Sequence, residues 1–125
     1  MSKIIVEPSS QLADEQIEFI SKFCIFCEDE CKTLGSGMTV VLTGDATKHK
    51  IKTTAYFNPG TRTMVVLALG RHQVDICRSI AHEMVHLRQS MNDFFGVQEI
   101  PDVGGFFEDE ANAVAGQIVK KFIAY

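Results

Sequence analysis

The hydrophobic period of this chain changes at Gly70, from two residues to about 3.6, and keeps the new value to about Asp93. No other feature restricts the fold as much, because it separates a stretch that reads as strands from one that reads as a long helix. At about 100° per residue, Ile76, Ile80, Met84, Leu87 and Met91 fall together on one side of that helix. His72, Asp75, Ser79, His82, Glu83, His86, Gln89 and Asp93 fall on the other. The apolar side needs cover from a sheet or from other helices.

The rest of the chain supplies both. Ile4 to Glu7 reads as a short β-branched strand closed by Pro8. Ser9 or Ser10 is placed to cap a helix running to about Leu34, where Gly35-Ser36-Gly37 stops it. Along it Ile17, Ile20, Cys24, Cys27, Cys31 and Leu34 recur at steps of three and four and form one stripe. Met38 to Thr43, Thr53 to Phe57 and Thr63 to Leu69 are rich in β-branched residues and read as strands. Asn58-Pro59-Gly60 predicts a tight antiparallel connection between the last two. A loop with Pro101 and Gly104-Gly105 leads to a final helix from about Phe106 to Ala124. The order predicts an α+β domain: a small antiparallel or mixed sheet with an N-terminal, a central and a C-terminal helix packed on it. No repeat, low-complexity stretch or linker divides the chain, so residues 1–125 read as a single domain.

Composition narrows the function classes. A hydrophobic fraction of 46% with 22% charged residues belongs to an ordinary soluble globule. No apolar run is long enough to span a bilayer, and the apolar part of Met1 to Glu7 is too short for a signal peptide. A cytoplasmic protein without a membrane partner is expected. In a reducing compartment its four cysteines are not a disulfide framework. The net charge is −4, and the one basic cluster, Lys48-His49-Lys50-Ile51-Lys52, reads as a solvated turn. Nucleic acid is therefore not expected as a partner.

The polar side of the central helix carries a specific chemistry. His82 and His86 are four residues apart, so both rings project from one face about one turn apart. That spacing suits two corners of a Zn²⁺ tetrahedron. Glu83 lies beside them, where a carboxylate can take a proton from water that the metal has acidified. The plain alternative is the wet face of an amphipathic helix. Catalytic zinc needs a third protein ligand and leaves a fourth position to water. No histidine follows His86, but Glu108-Asp109-Glu110-Ala111-Asn112 opens the last helix. There Phe107, Ala111, Val114, Ala115, Ile118 and Phe122 form the apolar stripe. Glu108 lies at its edge and can point inward, Asp109 points away, and Glu110 flanks the other side. Glu108 is the favoured third ligand and Glu110 its alternative. Acids in a first helical turn are also favoured by the helix dipole alone. Asn112 is placed to hydrogen-bond a ligand and steady it.

His82-Glu83-x-x-His86 followed by Glu108-x-x-Ala111-Asn112 resembles the gluzincin clan of zinc metallopeptidases. The second element is similar to the Glu-x-x-Ser-Asp helix of thermolysin-like enzymes, and closer still to the Glu-x-x-Ala-Asn element of small ImmA/IrrE-type peptidases. The resemblance implies a zincin-like fold, His82, His86 and Glu108 as zinc ligands, and Glu83 as general base. It also implies a peptide or protein substrate that pairs with a strand before the active-site helix, here Thr63 to Leu69. Val85 stands where ImmA/IrrE-type proteins usually have Gly. The rival reading is a non-catalytic protein-binding module that keeps such a scaffold around a structural metal.

Other residues have plainer readings. Cys24, Cys27 and Cys31 have spacings that can bind metal, but they fall on the apolar stripe and read as core. Cys77 falls on the apolar side of the central helix. His72, Tyr56 and Arg62 are candidates to steady an oxyanion and equally ordinary as structural or surface residues. Phe94-Phe95 and Phe106-Phe107 flank the loop between the two candidate metal helices and read as its anchors, or as an apolar substrate wall.

Overall fold

The computed structural model describes residues 3–31, 38–48, 54–58, 60–91 and 106–124, with the side chains of residues 88–91, 106–108 and 110 outside that description. Its elements are β1 (Lys3–Val6), a 3₁₀ turn (Pro8–Ser10), α1 (Asp14–Cys31), β2 (Thr39–Thr43), β3 (Ala55–Asn58), β4 (Thr63–Leu67), α2 (Gln73–Met91) and α3 (Phe106–Ile123). The four strands form one sheet in the order β1-β2-β4-β3. β1, β2 and β4 run parallel, and β3 is antiparallel to β4. The fold is α+β, and the sheet is mixed. Among the described residues no helix is long and apolar enough to cross a membrane.

The N-terminal helix starts later than Ser9 or Ser10 because both hydroxyls are committed elsewhere. Ser10 Oγ donates to the Glu7 carbonyl at 2.8 Å. Ser9 Oγ accepts from the Gly44 amide at 2.9 Å and lies 3.3 Å from Thr43 Oγ1. The two serines thus close a 3₁₀ turn against the end of β2. Helix α1 begins after Ala13, whose amide donates to Gln16 Oε1 at 2.9 Å while its carbonyl accepts from Ile17. That is half of a capping box, and Asp14 and Glu15 in the first turn suit the helix dipole. Leu34 and Gly35-Ser36-Gly37, the predicted end, lie outside the described residues.

The strands match their predicted positions to within two residues where they are described; Thr53 and Pro59 lie outside. The antiparallel connection holds: Asn58 pairs with Thr63. Asn58 Oδ1 accepts from the amides of Gly60 at 2.9 Å and Thr61 at 3.3 Å, an Asx turn.

Side chains alternate across the sheet. Val40, Leu42, Met64, Val66 and Ala68 face the helices, joined from the outer strands by Ile4, Val6, Ala55 and Phe57. Val41 and Val65 face the other way with Ala46. Helices α1, α2 and α3 share the first core. Phe122 of α3 sits among Phe19, Phe23 and Phe26 of α1 at ring separations of 5.2–5.3 Å. Lys121 and Glu30 close the same seam at 2.8 Å. Phe23 and Val119 are buried here although the predicted stripes of their helices left them out.

The four cysteines are free and buried, as expected of core. Burial, and then Cys77 and Glu28 nearby, push the Cys24 thiol well up. A hydrogen bond with Cys31, and then burial, do the same for Cys27. Burial pushes Cys77 up to about 12. An unfolded chain loses these protons from about pH 8.5 upward, whereas the folded chain keeps them. The folded state therefore binds more protons above that pH, and stability falls as pH rises. Each thiol contributes up to about 1.4 kcal/mol per pH unit. Urea unfolding at pH 7, 8, 9 and 10 should be flat to about pH 8 and then decline steeply. A curve still flat at pH 10 would contradict this burial.

Candidate functional site

Gly70 turns the chain with φ 71°, a left-handed conformation that glycine adopts without strain. His72 then caps α2. Its Nδ1 accepts from the Val74 amide at 3.2 Å, and its carbonyl accepts from Asp75 and Ile76 at 3.0 and 3.1 Å. Arg71 ties this turn to the sheet: Nη1 donates to the Leu67 carbonyl at 2.7 Å, and Nη2 to the Asp75 carbonyl at 3.0 Å and to Ser79 Oγ at 2.8 Å. Ser79 in turn donates to Thr54 Oγ1, just before β3, at 3.5 Å. The polar row of α2 is thereby laid beside the start of β3.

That row changes character along the helix. His72, Asp75 and Arg78 are exposed, whereas Ser79, His82, Glu83 and His86 are half-buried. The reason is packing on both flanks: Ile76, Cys77, Ile80, Ala81, Met84, Val85 and Leu87 are all buried. The predicted stripe is correct at Ile76, Ile80, Met84 and Leu87, while the Met91 side chain lies outside the described part; it is too narrow, since Ala81 and Val85 form a second buried row. The two histidines are thus less exposed than His72 at the start of the same row.

The rings of His82 and His86 lie 4.8 Å apart, centroid to centroid, at an interplanar angle of 77°. Two imidazoles on one tetrahedral Zn²⁺, with Zn–N near 2.0–2.1 Å, would have their centroids roughly 5 Å apart. Imidazole is a ligand that suits zinc, as it does copper, iron and nickel. The separation of the rings is one that a shared ion would allow.

Helix α2 packs more extensively on α3 than on any other element. Ala111, Ala115, Ile118 and Val119 are the buried residues of α3. The acid-bearing start of α3 thus belongs to the helix packed most extensively on the one that carries the two histidines. Glu108 stands in its first turn and Glu110 just after it, and their side chains lie outside the described part. Asp109 is exposed, as predicted, and so is Asn112. Among the described residues no three His, Cys, Asp or Glu side chains are grouped to hold a metal.

No family model, curated protein or solved structure matches this chain.

The oxyanion candidates do not gather at the histidines. His72 caps the helix ten residues, or roughly 15 Å, before His82. Tyr56 is paired with Val65, on the sheet face turned away from the helices. Arg62 sits with φ 51° in the β3–β4 turn, where its carbonyl accepts from Thr39. Phe94-Phe95 lie outside the described residues, as do the Phe106 and Phe107 side chains. The strand expected to pair with substrate is also corrected. β4 has β2 on one side and β3 on the other, so its backbone groups are already in the ladder. Of the two strands beside α2, it is β3 that forms an edge among the described residues. The link from Arg71 through Ser79 to Thr54 was missing from the sequence reading, and no local pattern announces it.

Proposed function

We propose that this chain is a zinc-dependent hydrolase of the gluzincin type, with a zincin-like arrangement, acting on peptide bonds. One observation carries the reading: two half-buried imidazoles on α2, spaced as a tetrahedral ion requires, on the helix packed against the one that opens with Glu108 and Glu110. His82, His86 and Glu108 would hold the ion. Zinc, when bound, supplies positive charge to polarise a scissile carbonyl and acidify a water molecule.

The chain's own groups do the rest. Glu83 takes the proton of the attacking water and returns it to the departing amine nitrogen, so one carboxylate serves as base and then as acid. Met84 and Val85, fully buried, anchor this segment of α2 in the core. This reading is intracellular, and it needs neither nucleic acid nor a membrane.

Metal titration tests the assignment. The wild-type chain should bind one zinc in competition with a chromophoric chelator. His82→Ala and His86→Ala should each lose it, and Glu108→Ala should lose or greatly weaken it. Full retention in Glu108→Ala with loss in Glu110→Ala would transfer the third position to Glu110. Retention in both histidine variants would remove the centre from α2. X-ray absorption on the loaded protein separates the two functional classes. Three protein ligands with a light oxygen atom support the hydrolase, and four protein ligands support a structural metal in a binding module.

A further inference from the structure

Strand β1 turns one edge to β2 and the other outward. In a parallel ladder, alternate residues direct their main-chain groups to the neighbouring strand. Lys3 donates to the Met38 carbonyl at 2.8 Å and Glu7 to the Leu42 carbonyl at 2.9 Å. Lys3, Ile5 and Glu7 therefore bond to the β2 side, in the register that sets Ile5 beside Val41. Ile4 and Val6 turn their N–H and C=O groups the other way, and among the described residues no strand lies beyond them. Ile5 is apolar and yet 40% exposed. An open edge of this kind is a template for another chain unless lysine, proline or a covering element guards it. Here Lys3 and Pro8 only mark the two ends of the strand.

The residues of the strand point to its occupant. Lys3-Ile4-Ile5-Val6-Glu7 is complementary to itself when two copies run antiparallel about Ile5. Ile4 then stands opposite Val6, and these are the residues with outward main-chain groups, so each such pair exchanges both hydrogen bonds. Ile5 meets its own copy on the two-fold axis, where opposed side chains come closest. Lys3 meets Glu7 at both ends, and opposite charges facing across two strands stabilise the pairing, whereas like charges oppose it. Glu7 already holds Thr43 at 2.6 Å and Lys48 at 3.2 Å, and a carboxylate accepts further donors beyond two. Parallel pairing would instead set Lys3 against Lys3, and a slip of two residues would set a charge against Ile5. Ile5, Val41, Val65 and Tyr56 also form one row across the sheet, on the face turned from the helices. Pairing about Ile5 joins two such rows end to end.

We propose that β1 is a self-association edge, at which a second copy of this chain pairs antiparallel about Ile5 and makes one continuous sheet of the two. The interface is isologous, as a two-fold axis requires. Five residues a side is small for an interface, so the dimer is weak, with a dissociation constant on the order of 10–100 μM. It needs no metal and stands apart from the hydrolase reading.

Sedimentation equilibrium of the full chain under reducing conditions, from about 1 μM to about 1 mM, should show a monomer–dimer equilibrium. Lys3→Glu, at an exposed position, should weaken it about tenfold by setting acid against acid. Ile5→Lys should abolish it, and Lys3→Glu keeps the test open should Ile5→Lys fail to fold. A wild-type chain still monomeric at the highest concentration overturns the proposal and leaves the edge to an extended segment of some other protein. Wild-type association in either folded variant overturns it too, by placing the interface elsewhere. Cysteine placement reads the register directly, since the native thiols are buried. Under mild oxidation Ile5→Cys should form a disulfide-linked dimer at least about tenfold faster than Lys3→Cys, whose two copies lie about 13 Å apart along the paired strands. Equal rates would overturn pairing about Ile5.

Discussion

Replacing Glu83 by Gln should leave zinc binding intact and lower peptide cleavage by about a thousandfold, within the range typical of removing a general base. The two side chains have the same shape, so the half-buried segment between His82 and His86 has no reason to move. The amide cannot accept a proton from water at neutral pH, and it cannot hand one to the departing nitrogen. Both halves of the reaction lose their proton carrier in one substitution. Metal analysis and single-turnover cleavage on the same sample read the two effects separately. A variant with its zinc and its full rate would end the proposed mechanism, because no other described carboxylate on the polar row of α2 lies as close to the histidines. Loss of zinc in this variant would instead make Glu83 a ligand and reduce the chain to a metal-binding module.

What could be read from the chain follows the range of the forces involved. The period of α2, its apolar stripe, the hairpin at Asn58 and the order of elements are local, and each survives in the structure. The histidine pair is local too, since i and i+4 on a helix meet wherever the helix lies. Strand order is not local. Nothing between Thr63 and Leu67 shows that β4 lies inside the sheet, so the substrate strand was assigned to a ladder already filled on both sides. The serines misled for a related reason. Ser9 and Ser10 are ordinary capping residues, but Gly44 and Thr43, distant in sequence, claim Ser9 for a contact with β2. The same rule hides Arg71, whose acceptors are set by how the β4–α2 turn folds back.

That long-range contact makes the largest stability prediction. A Cβ on Gly44 would sit 2.0 Å from the Ser9 carbonyl oxygen, 2.6 Å from its carbon and 3.0 Å from Leu69 Cβ. The first two are backbone atoms of the 3₁₀ turn and cannot rotate away. Relief requires moving the turn off the end of β2, which breaks the Gly44–Ser9 bond and disturbs Thr43, whose hydroxyl donates to Glu7 Oε1 at 2.6 Å and accepts from the Asp45 amide at 3.0 Å. Thr43 is fully buried, so its hydroxyl has no water to turn to. Gly44→Ala should therefore cost about 3 kcal/mol, at the upper end for overpacking. Gly116, in the middle of α3, supplies the opposite case. A Cβ there meets nothing within 4 Å, and alanine is the better helix former by about 1 kcal/mol. One substitution type should thus lower the urea midpoint at position 44 and raise it at 116. Equal stability of Gly44→Ala and the wild-type chain would mean that the turn after β1 does not rest on the end of β2, and the register of the parallel pair would have to be redrawn.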